Sequence, residues 1–148
     1  MLDKTSHGRS EALGLYPHAD VSAVAERRIN DRLIDPIGPA WVGNFGLVRQ
    51  GGEPVASGTL ACADTDQSVH AASTEMLSAN GMVVLNGSNT LVVAETYRRC
   101  LTAFDILATG DLVNRGVLAQ LHEGDVSDGI CIDAEEVIWV ASPTTGSV

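Results

Sequence analysis

Three polar residues recur at nearly equal intervals along the chain and could share one binding site. Asn30, Asn80 and Asp128 are separated by 50 and 48 positions. Each is followed by a short apolar run, a turn and a second apolar run that ends in small residues. Amide and carboxylate oxygens are the ligands that hard cations such as calcium and magnesium prefer. If the three side chains meet in the fold, they would form an oxygen-rich cation site.

The spacing of these residues also predicts the fold that must position them. A repeat of this length is typical of β-propeller blades, and equivalent residues of successive blades face one central axis. Closed propellers have about four to eight blades of four strands, so the 148 residues predict an all-β, incomplete propeller of about three blades. We expect an irregular segment over residues 1–19, then blade units over about 20–75, 76–126 and 127–148, the last one truncated.

Short apolar runs bounded by Gly, Pro, Asn, Asp and Ser predict consecutive antiparallel strands. The predicted strands cover residues 32–35, 40–43, 59–63, 68–72, 82–85, 91–95, 101–105, 116–120, 130–133 and 137–141. The polar, Gly-rich stretch 46–57 is predicted to be an exposed loop, and residues 86–88 a turn. Residues 20–28 are predicted to form a short helical turn capped by Asp20 or Ser22.

Composition and charge narrow the classes of partner. The chain has nine basic and 19 acidic residues and a net charge of −10, which opposes binding to nucleic acid or to anionic membranes. No apolar run approaches the roughly 20 residues that cross a bilayer, and residues 1–20 lack the pattern of a secretory signal. We therefore expect a cytoplasmic protein whose ligands are cations and small molecules, and whose open blade edges allow self-association.

Other residues that often carry chemistry show no recognisable motif here. The cysteines are odd in number and widely spaced, so neither a disulfide framework nor a zinc motif is indicated, and we predict reduced packing residues at Cys62, Cys100 and Cys131. The histidines lack metal-binding spacing and are predicted at the surface: His7, His18, His70 and His122. No serine lies in a G-x-S-x-G motif. Trp41 and Trp139 are predicted to lie in blade cores, and Glu95 at a charged strand edge with Arg98 and Arg99.

Two segments carry a longer motif, SANGMVVLNGSNTLVVAETYRRCLTAFDI over 78–106 and SDGICIDAEEVIWVAS over 127–142. There the chain resembles the gluconolactonase and regucalcin family, also called the senescence marker protein family. A third segment, RINDRLIDPIGPAWVGNFG over 28–46, is similar to the family's preceding blade. The resemblance covers about residues 20–142 and implies a six-bladed propeller with one divalent cation in its central channel. Many such proteins hydrolyse sugar lactones, and some relatives hydrolyse organophosphates.

Position by position, the resemblance implies roles for four residues. Asn80 corresponds to a metal-binding Asn, and Asp128 to an Asp that binds the metal and acts as the base. Asn30 corresponds to an Asn near metal and substrate, and Arg28 to a substrate-contacting Arg. The resemblance favours calcium, with zinc, magnesium or manganese as alternatives. The family's remaining ligand is a Glu of the first blade, which we expect to lie outside this chain.

The implied function is a metal-dependent hydrolase of the lactonase type. The cation would polarise the carbonyl of a lactone or related ester while Asp128 accepts a proton from the attacking water. Two alternatives stay open: a noncatalytic propeller-like binding module or inactive fragment, and an organophosphate-type hydrolase. The chain also departs from the family in the turn of the third unit, where Glu136 replaces a Gly. A Gly in such a turn often has positive φ, so we predict a strained turn at Glu136.

Overall fold

The described part of the chain is built from ten antiparallel β-strands. The computed structural model describes residues 17–25, 28–35, 38–46, 56–85 and 87–148. The strands are β1 Ile29–Ile34, β2 Ala40–Asn44, β3 Gly58–Ala63, β4 Val69–Met76, β5 Ala79–Val84, β6 Thr90–Glu95, β7 Cys100–Ile106, β8 Leu112–Gln120, β9 Ile130–Ile132 and β10 Ile138–Val140. Each of the ten predicted strands overlaps one of them. Residues 1–16 of the predicted irregular segment, most of the predicted 46–57 loop and Asn86 lie outside the described residues.

The strands form three sheets in chain order. β1 to β4 make one four-stranded meander, β5 to β8 a second, and β9 pairs with β10 in a third. β5 packs against both β1 and β9, so the first strands of the three sheets lie side by side. This is the arrangement of propeller blades around an axis. The protein is therefore an all-β, incomplete propeller, as the repeat predicts.

Several hairpins use one five-residue turn with a left-handed residue in the fourth position. Glu136 N donates to Asp133 O at 3.2 Å, and Asp133 N donates to Val137 O at 3.1 Å. The φ of Glu136 is +65°, and the corresponding Gly110 of the β7–β8 turn has a φ of +83°. A side chain with a Cβ adopts this conformation at a cost of about 1–2 kcal/mol. The predicted strain at Glu136 is confirmed.

Two apolar layers join the sheets face to face. The first layer lies between the first and second sheets and includes Trp41, Leu60, Met76, Leu91 and Phe104, all at most 2% exposed. Each fully buried side chain of this kind contributes roughly 1.5–3 kcal/mol. The second layer joins the second and third sheets through the side chains of Val83, Val92, Ala94 and Leu101, packed against Ile130 and Ile138.

The prediction that both tryptophans lie in the core is right for Trp41 and wrong for Trp139. Trp139 is 47% exposed. Within the described residues β10 pairs only with β9, so less of this sheet is covered. The indole Nε1 of Trp139 donates instead to Asp133 Oδ2 at 2.8 Å.

The predicted helical turn covers the outer face of the first sheet. Ala25 N donates to Val21 O at 2.7 Å, and Ser22 N donates to Asp20 Oδ1 at 2.9 Å. The capping role of Asp20 is thus confirmed for this single turn. Val21 and Ala25 pack on Val42 and its neighbours in β2 and β3. The described part of the chain contains no helix with the length and apolar character needed to cross a bilayer.

Candidate metal centre

The three predicted ligands lie at or just before the start of the inner strands β1, β5 and β9. Irregular strand pairing at these positions directs their side chains. The register of β1 with β2 shifts between Ile29 and Arg32, and that of β5 with β6 shifts between Ala79 and Met82. Asn30 and Asn80 therefore each occupy a β-bulge, a device that redirects a side chain and is common beside functional sites.

The third sheet has the same kind of bulge just before β9, where two residues of one segment oppose a single residue of the other. Asp128 N donates to Ala141 O, and Ala141 N donates to Gly129 O, both at 3.0 Å. Asp128 and Gly129 thus both oppose Ala141. The same local distortion places one polar side chain at the start of each inner strand.

The structure brings all three side chains to one place. Asn80 Nδ2 donates to Asp128 Oδ1 at 2.6 Å, although the two residues are 48 positions apart. Asn30 Nδ2 donates to the carbonyl oxygen of Ala79 at 3.0 Å, so it lies beside Asn80. Asn80 Nδ2 also lies 3.3 Å from Thr96 Oγ1, which accepts from it. Thr96 was not singled out from sequence, and the only signal for it is its place directly after the apolar run of β6.

The close approach of two backbones makes the contact between Asn80 and Asp128 possible. Gly81 N donates to Asp128 O at 3.0 Å. A Cβ at Gly81 would lie 2.3 Å from Ile130 N and 2.8 Å from Asp128 O. Only a glycine therefore lets β5 and the segment before β9 meet at this separation.

The donor set fits a hard divalent cation. Asn80 is 8% exposed, Asn30 is partly buried and Asp128 is exposed, so the site is shielded on one side and open to solvent on the other. Within the described residues no hydrogen bond reaches Asn80 Oδ1 or Asp128 Oδ2. An amide oxygen and a carboxylate oxygen therefore remain available, as calcium or magnesium requires. Because the amide nitrogen now faces Asp128, binding a cation between them requires the Asn80 amide to rotate about χ2.

Arg28 is the fourth residue for which the sequence predicts a role. It is exposed, and its carbonyl oxygen accepts from Phe45 N at 3.1 Å. Its guanidinium forms no hydrogen bond or ion pair with the described residues. The structure places Arg28 two residues before Asn30, and among the described residues no hydrogen bond or ion pair joins its side chain to Asn30, Asn80 or Asp128.

Sequence reasoning missed a buried carboxylate next to this site. Glu95, predicted at a charged strand edge, is 0% exposed. Its Oε2 accepts from Leu77 N at 2.7 Å and from Arg98 Nε at 3.0 Å. Its Oε1 accepts from Thr102 Oγ1 at 2.5 Å and from Arg115 Nη2 at 3.1 Å. Burial alone would raise the pKa of Glu95, but these hydrogen bonds and the two arginine charges outweigh burial and leave the pKa below its ordinary value.

The buried position of Glu95 recurs in the other sheets, which is the signal that could have revealed it. Asn44 and Ser142 stand three residues after Trp41 and Trp139, as Glu95 stands three after Val92. Both are buried, at 2% and 6% exposed. A polar residue that ends the second apolar run of every unit indicates a buried anchor rather than an exposed edge.

Comparison with known proteins agrees with this architecture. Residues 3–148 match the sequence profile of the SMP-30/gluconolactonase/LRE-like region. Regucalcin from Gallus gallus is 30% identical over 127 residues, which are 84% of this chain and 42% of that protein. The chain therefore spans less than half the length of this relative.

Two solved structures share the fold. A luciferin-regenerating enzyme is 28% identical with a TM-score of 0.71, covering 82% of this chain and 41% of that one. A gluconolactonase from Xanthomonas campestris, at 22% identity and a TM-score of 0.65, covers 88% of this chain and 46% of that one, and it supports the fold alone. With a family profile matched over residues 3–148 and inner strands that converge as in a propeller, the chain belongs to the SMP-30/gluconolactonase/LRE-like family.

Proposed function

We propose that this chain supplies part of the divalent-cation site of a lactonase-type hydrolase. The observation that carries the proposal is the contact between Asn80 and Asp128, which joins two bulges of neighbouring sheets at 2.6 Å. The family includes proteins named gluconolactonase and regucalcin, so a sugar lactone or related ester is the substrate class that we propose. Calcium is the cation favoured by the oxygen ligands.

Asp128 is the proposed general base. Its carboxylate is exposed, so water can reach it. When a cation binds, the Asn80 amide rotates away from Asp128 Oδ1, so that one carboxylate oxygen can bind the cation. The other oxygen is available to accept a proton from the attacking water, a contribution of about 10²–10⁴-fold. When bound, the cation would polarise the substrate carbonyl and stabilise the negative charge that develops on its oxygen.

Asn80 and Asn30 are proposed to orient the centre rather than to transfer protons. An amide does not titrate in the physiological range, so its value lies in geometry. Thr96 accepts from Asn80 and positions the amide, which rotates about χ2 when a cation binds. Asn30 is the proposed third oxygen ligand and substrate contact, while the exposed guanidinium of Arg28 would bind polar groups of the substrate.

Calorimetry with calcium and a hydrolysis assay on a sugar lactone test the two parts of this proposal. Asn80→Ala should weaken calcium binding at least tenfold, whereas Asn89→Ala, at an exposed asparagine in the β5–β6 turn, should not change it. Asp128→Asn should lower kcat by about 10²–10⁴-fold, with Glu123→Gln, at an exposed carboxylate, as the matched control.

The outcomes separate the proposed enzyme from its alternatives. Calcium binding that depends on Asn80, without turnover of any lactone, would favour a cation-binding module. Turnover of a phosphotriester in place of a lactone would favour the organophosphate-type hydrolase. Absence of any cation binding, or lactone turnover equal in Asp128→Asn and in the unmodified chain, would overturn the proposed centre.

A further inference from the structure

A second group of possible metal ligands lies at the other end of the strands. Cys62 and His70 are directly opposite each other in β3 and β4, and Asp64 begins the turn between these strands. One ligand atom from each of the three residues lies within 4.8 Å of the others. The group is next to the β3–β4 turn, whereas Asn80 and Asp128 lie where the inner strands begin, so the two sites are separate.

A second carboxylate lies near this group on the neighbouring sheet. Asp111 precedes β8, and its Oδ1 lies 3.8 Å from His70 Nε2. On the other side of the ring, Asp64 Oδ2 lies 3.4 Å from His70 Nδ1. A separation of 3.8 Å is too long for a hydrogen bond, and His70 Nε2 is buried without a hydrogen-bond partner among the described residues.

We propose that Cys62, Asp64 and His70 bind a thiophilic divalent cation of the zinc type, with Asp111 outside the ligand set, beside the opposite ring nitrogen of His70 from Asp64. Sulfur, imidazole nitrogen and carboxylate oxygen together are the tetrahedral ligands of zinc, and a thiolate selects zinc over calcium or magnesium. The site goes beyond the proposed lactonase centre, whose ligands are all oxygens. It depends on different residues and does not require that the hydrolase proposal be correct.

A bound ion at this position would hold the end of β3 to the start of β4. All three ligands come from the first sheet and its turn, and Asp111 of the second sheet lies beside the His70 ring. Gly110 already packs close to this group, since a Cβ there would lie 3.8 Å from Asp64 Oδ1. The expected role is structural, because Cys62 is 0% exposed and no substrate could reach its sulfur.

A nucleophilic Cys–His–Asp arrangement is the competing interpretation of the same residues. Burial, with the charges of Asp64 and Asp111, raises the pKa of the Cys62 thiol to about 11. A thiol in that state is a poor nucleophile at neutral pH. A histidine held between two carboxylates, with no metal, is the other interpretation. Titration with Co²⁺ distinguishes it from a metal site.

Titration of the unmodified full chain with Co²⁺ tests the proposal directly. Cobalt bound by a thiolate gives a sulfur-to-metal charge-transfer band in the near ultraviolet, and carboxylate sites do not. We expect this band to saturate at one cobalt per chain and to disappear when Zn²⁺ displaces the cobalt. If no charge-transfer band forms, the group is an ion-pair cluster and the proposal is overturned.

Matched variants assign the band to these residues. Cys62→Ser should abolish it and His70→Gln should weaken cobalt binding at least tenfold, whereas Cys131→Ser, at an exposed cysteine, should leave both unchanged. Asp128→Asn should also retain the band, so that a failed lactonase centre and a failed zinc-type site remain distinguishable. A band lost in Cys131→Ser but kept in Cys62→Ser would refute the assignment.

Thermal unfolding distinguishes a variant that has lost the metal site from a variant that does not fold. At saturating zinc the Tm of the unmodified chain should rise by about 5 °C, because the ion binds the folded state only. His70→Gln, which replaces a partly exposed residue, should fold without zinc and lose this rise. An equal rise in both proteins would place the zinc elsewhere and overturn the proposal.

Discussion

Replacing Gly81 by Ala tests whether close backbone approach builds the candidate metal centre. The added Cβ would lie 2.3 Å from Ile130 N, 2.8 Å from Asp128 O and 2.9 Å from Gly129 C. All three are backbone atoms, which cannot be moved by a change of rotamer. The strand β5 and the segment before β9 must therefore separate, and the 3.0 Å hydrogen bond from Gly81 N to Asp128 O must lengthen or break.

The free-energy cost follows from these contacts. Overpacking typically costs about 1–3 kcal/mol, and loss of one backbone hydrogen bond costs about 1 kcal/mol more. We expect Gly81→Ala to lower the free energy of unfolding by about 2–4 kcal/mol. With a urea m-value of roughly 2 kcal/mol/M, the unfolding midpoint should fall by about 1–2 M.

The chain offers a matched control at Gly129, the residue directly after Asp128. A Cβ on Gly129 would meet no atom within 4 Å, and its φ is not among the positive values. Gly129→Ala should therefore stay within about 0.5 kcal/mol of the unmodified chain. Calcium calorimetry on both variants reads out the site itself, and only Gly81→Ala should weaken binding, because it moves Asp128 away from Asn80.

Similar results for Gly81→Ala and Gly129→Ala would contradict the role assigned to Gly81. Equal urea midpoints for Gly81→Ala and Gly129→Ala would mean that the second and third sheets are not held at the separation described. A large loss of stability with unchanged calcium affinity would mean that the approach of β5 and β9 supports the fold and not the centre.

Two further predictions concern the buried carboxylate and the strained turn. Glu95→Gln should cost about 2–3 kcal/mol at pH 7, less than the roughly 3–5 kcal/mol for fully buried pairs, because Arg98 and Arg115 are 40% and 30% exposed. The pKa of Glu95 is lower in the folded state, so the stability contributed by its carboxylate is present above the unfolded pKa and is lost as pH falls through the folded pKa. The urea midpoints of Glu95→Gln and the unmodified chain should therefore converge in acid. A difference between the two midpoints that does not change with pH would contradict this. Glu136→Gly should stabilise the folded protein by about 0.5–1 kcal/mol in thermal unfolding, because relief of the strain at positive φ outweighs the added entropy of the unfolded chain. Gly110→Ala, at the corresponding position of the β7–β8 turn, should destabilise the folded protein by about 1 kcal/mol. A loss of stability in Glu136→Gly would refute the assigned strain.

Local signals predicted the strands well because local chemistry determines them here. Turn residues bound every run, and the turn at Glu136 has the left-handed backbone that the sequence predicted. The meeting of Asn30, Asn80 and Asp128 was predicted from the repeat length alone, since equivalent positions of adjacent blades are neighbours. The irregular strand pairing that directs these three side chains could not be predicted, because register depends on which residues of the partner strand are opposed.

The incorrect sequence predictions concern side chains whose surroundings are set by residues far away in the sequence. Glu95 looked like an edge residue because its partners are far away in sequence: Arg115 belongs to β8 and Leu77 to the segment between the first two sheets. His70 was assigned to the surface, but it is partly buried between carboxylates of two sheets. Cys131 was assigned to packing, yet it is exposed, because few strands cover the third sheet within the described residues.

The buried anchors and the candidate centre are connected through the same short stretch of chain. Glu95 pairs with Ala79 across β6 and β5, and the next residue, Thr96, accepts from the Asn80 amide. Holding Glu95 by two arginines therefore fixes the end of β6 from which Thr96 orients Asn80. A cation ligand on a bulge has few backbone restraints of its own, because the bulge interrupts the ladder. The ion pairs of buried Glu95 with Arg98 and Arg115 supply that restraint in the second sheet.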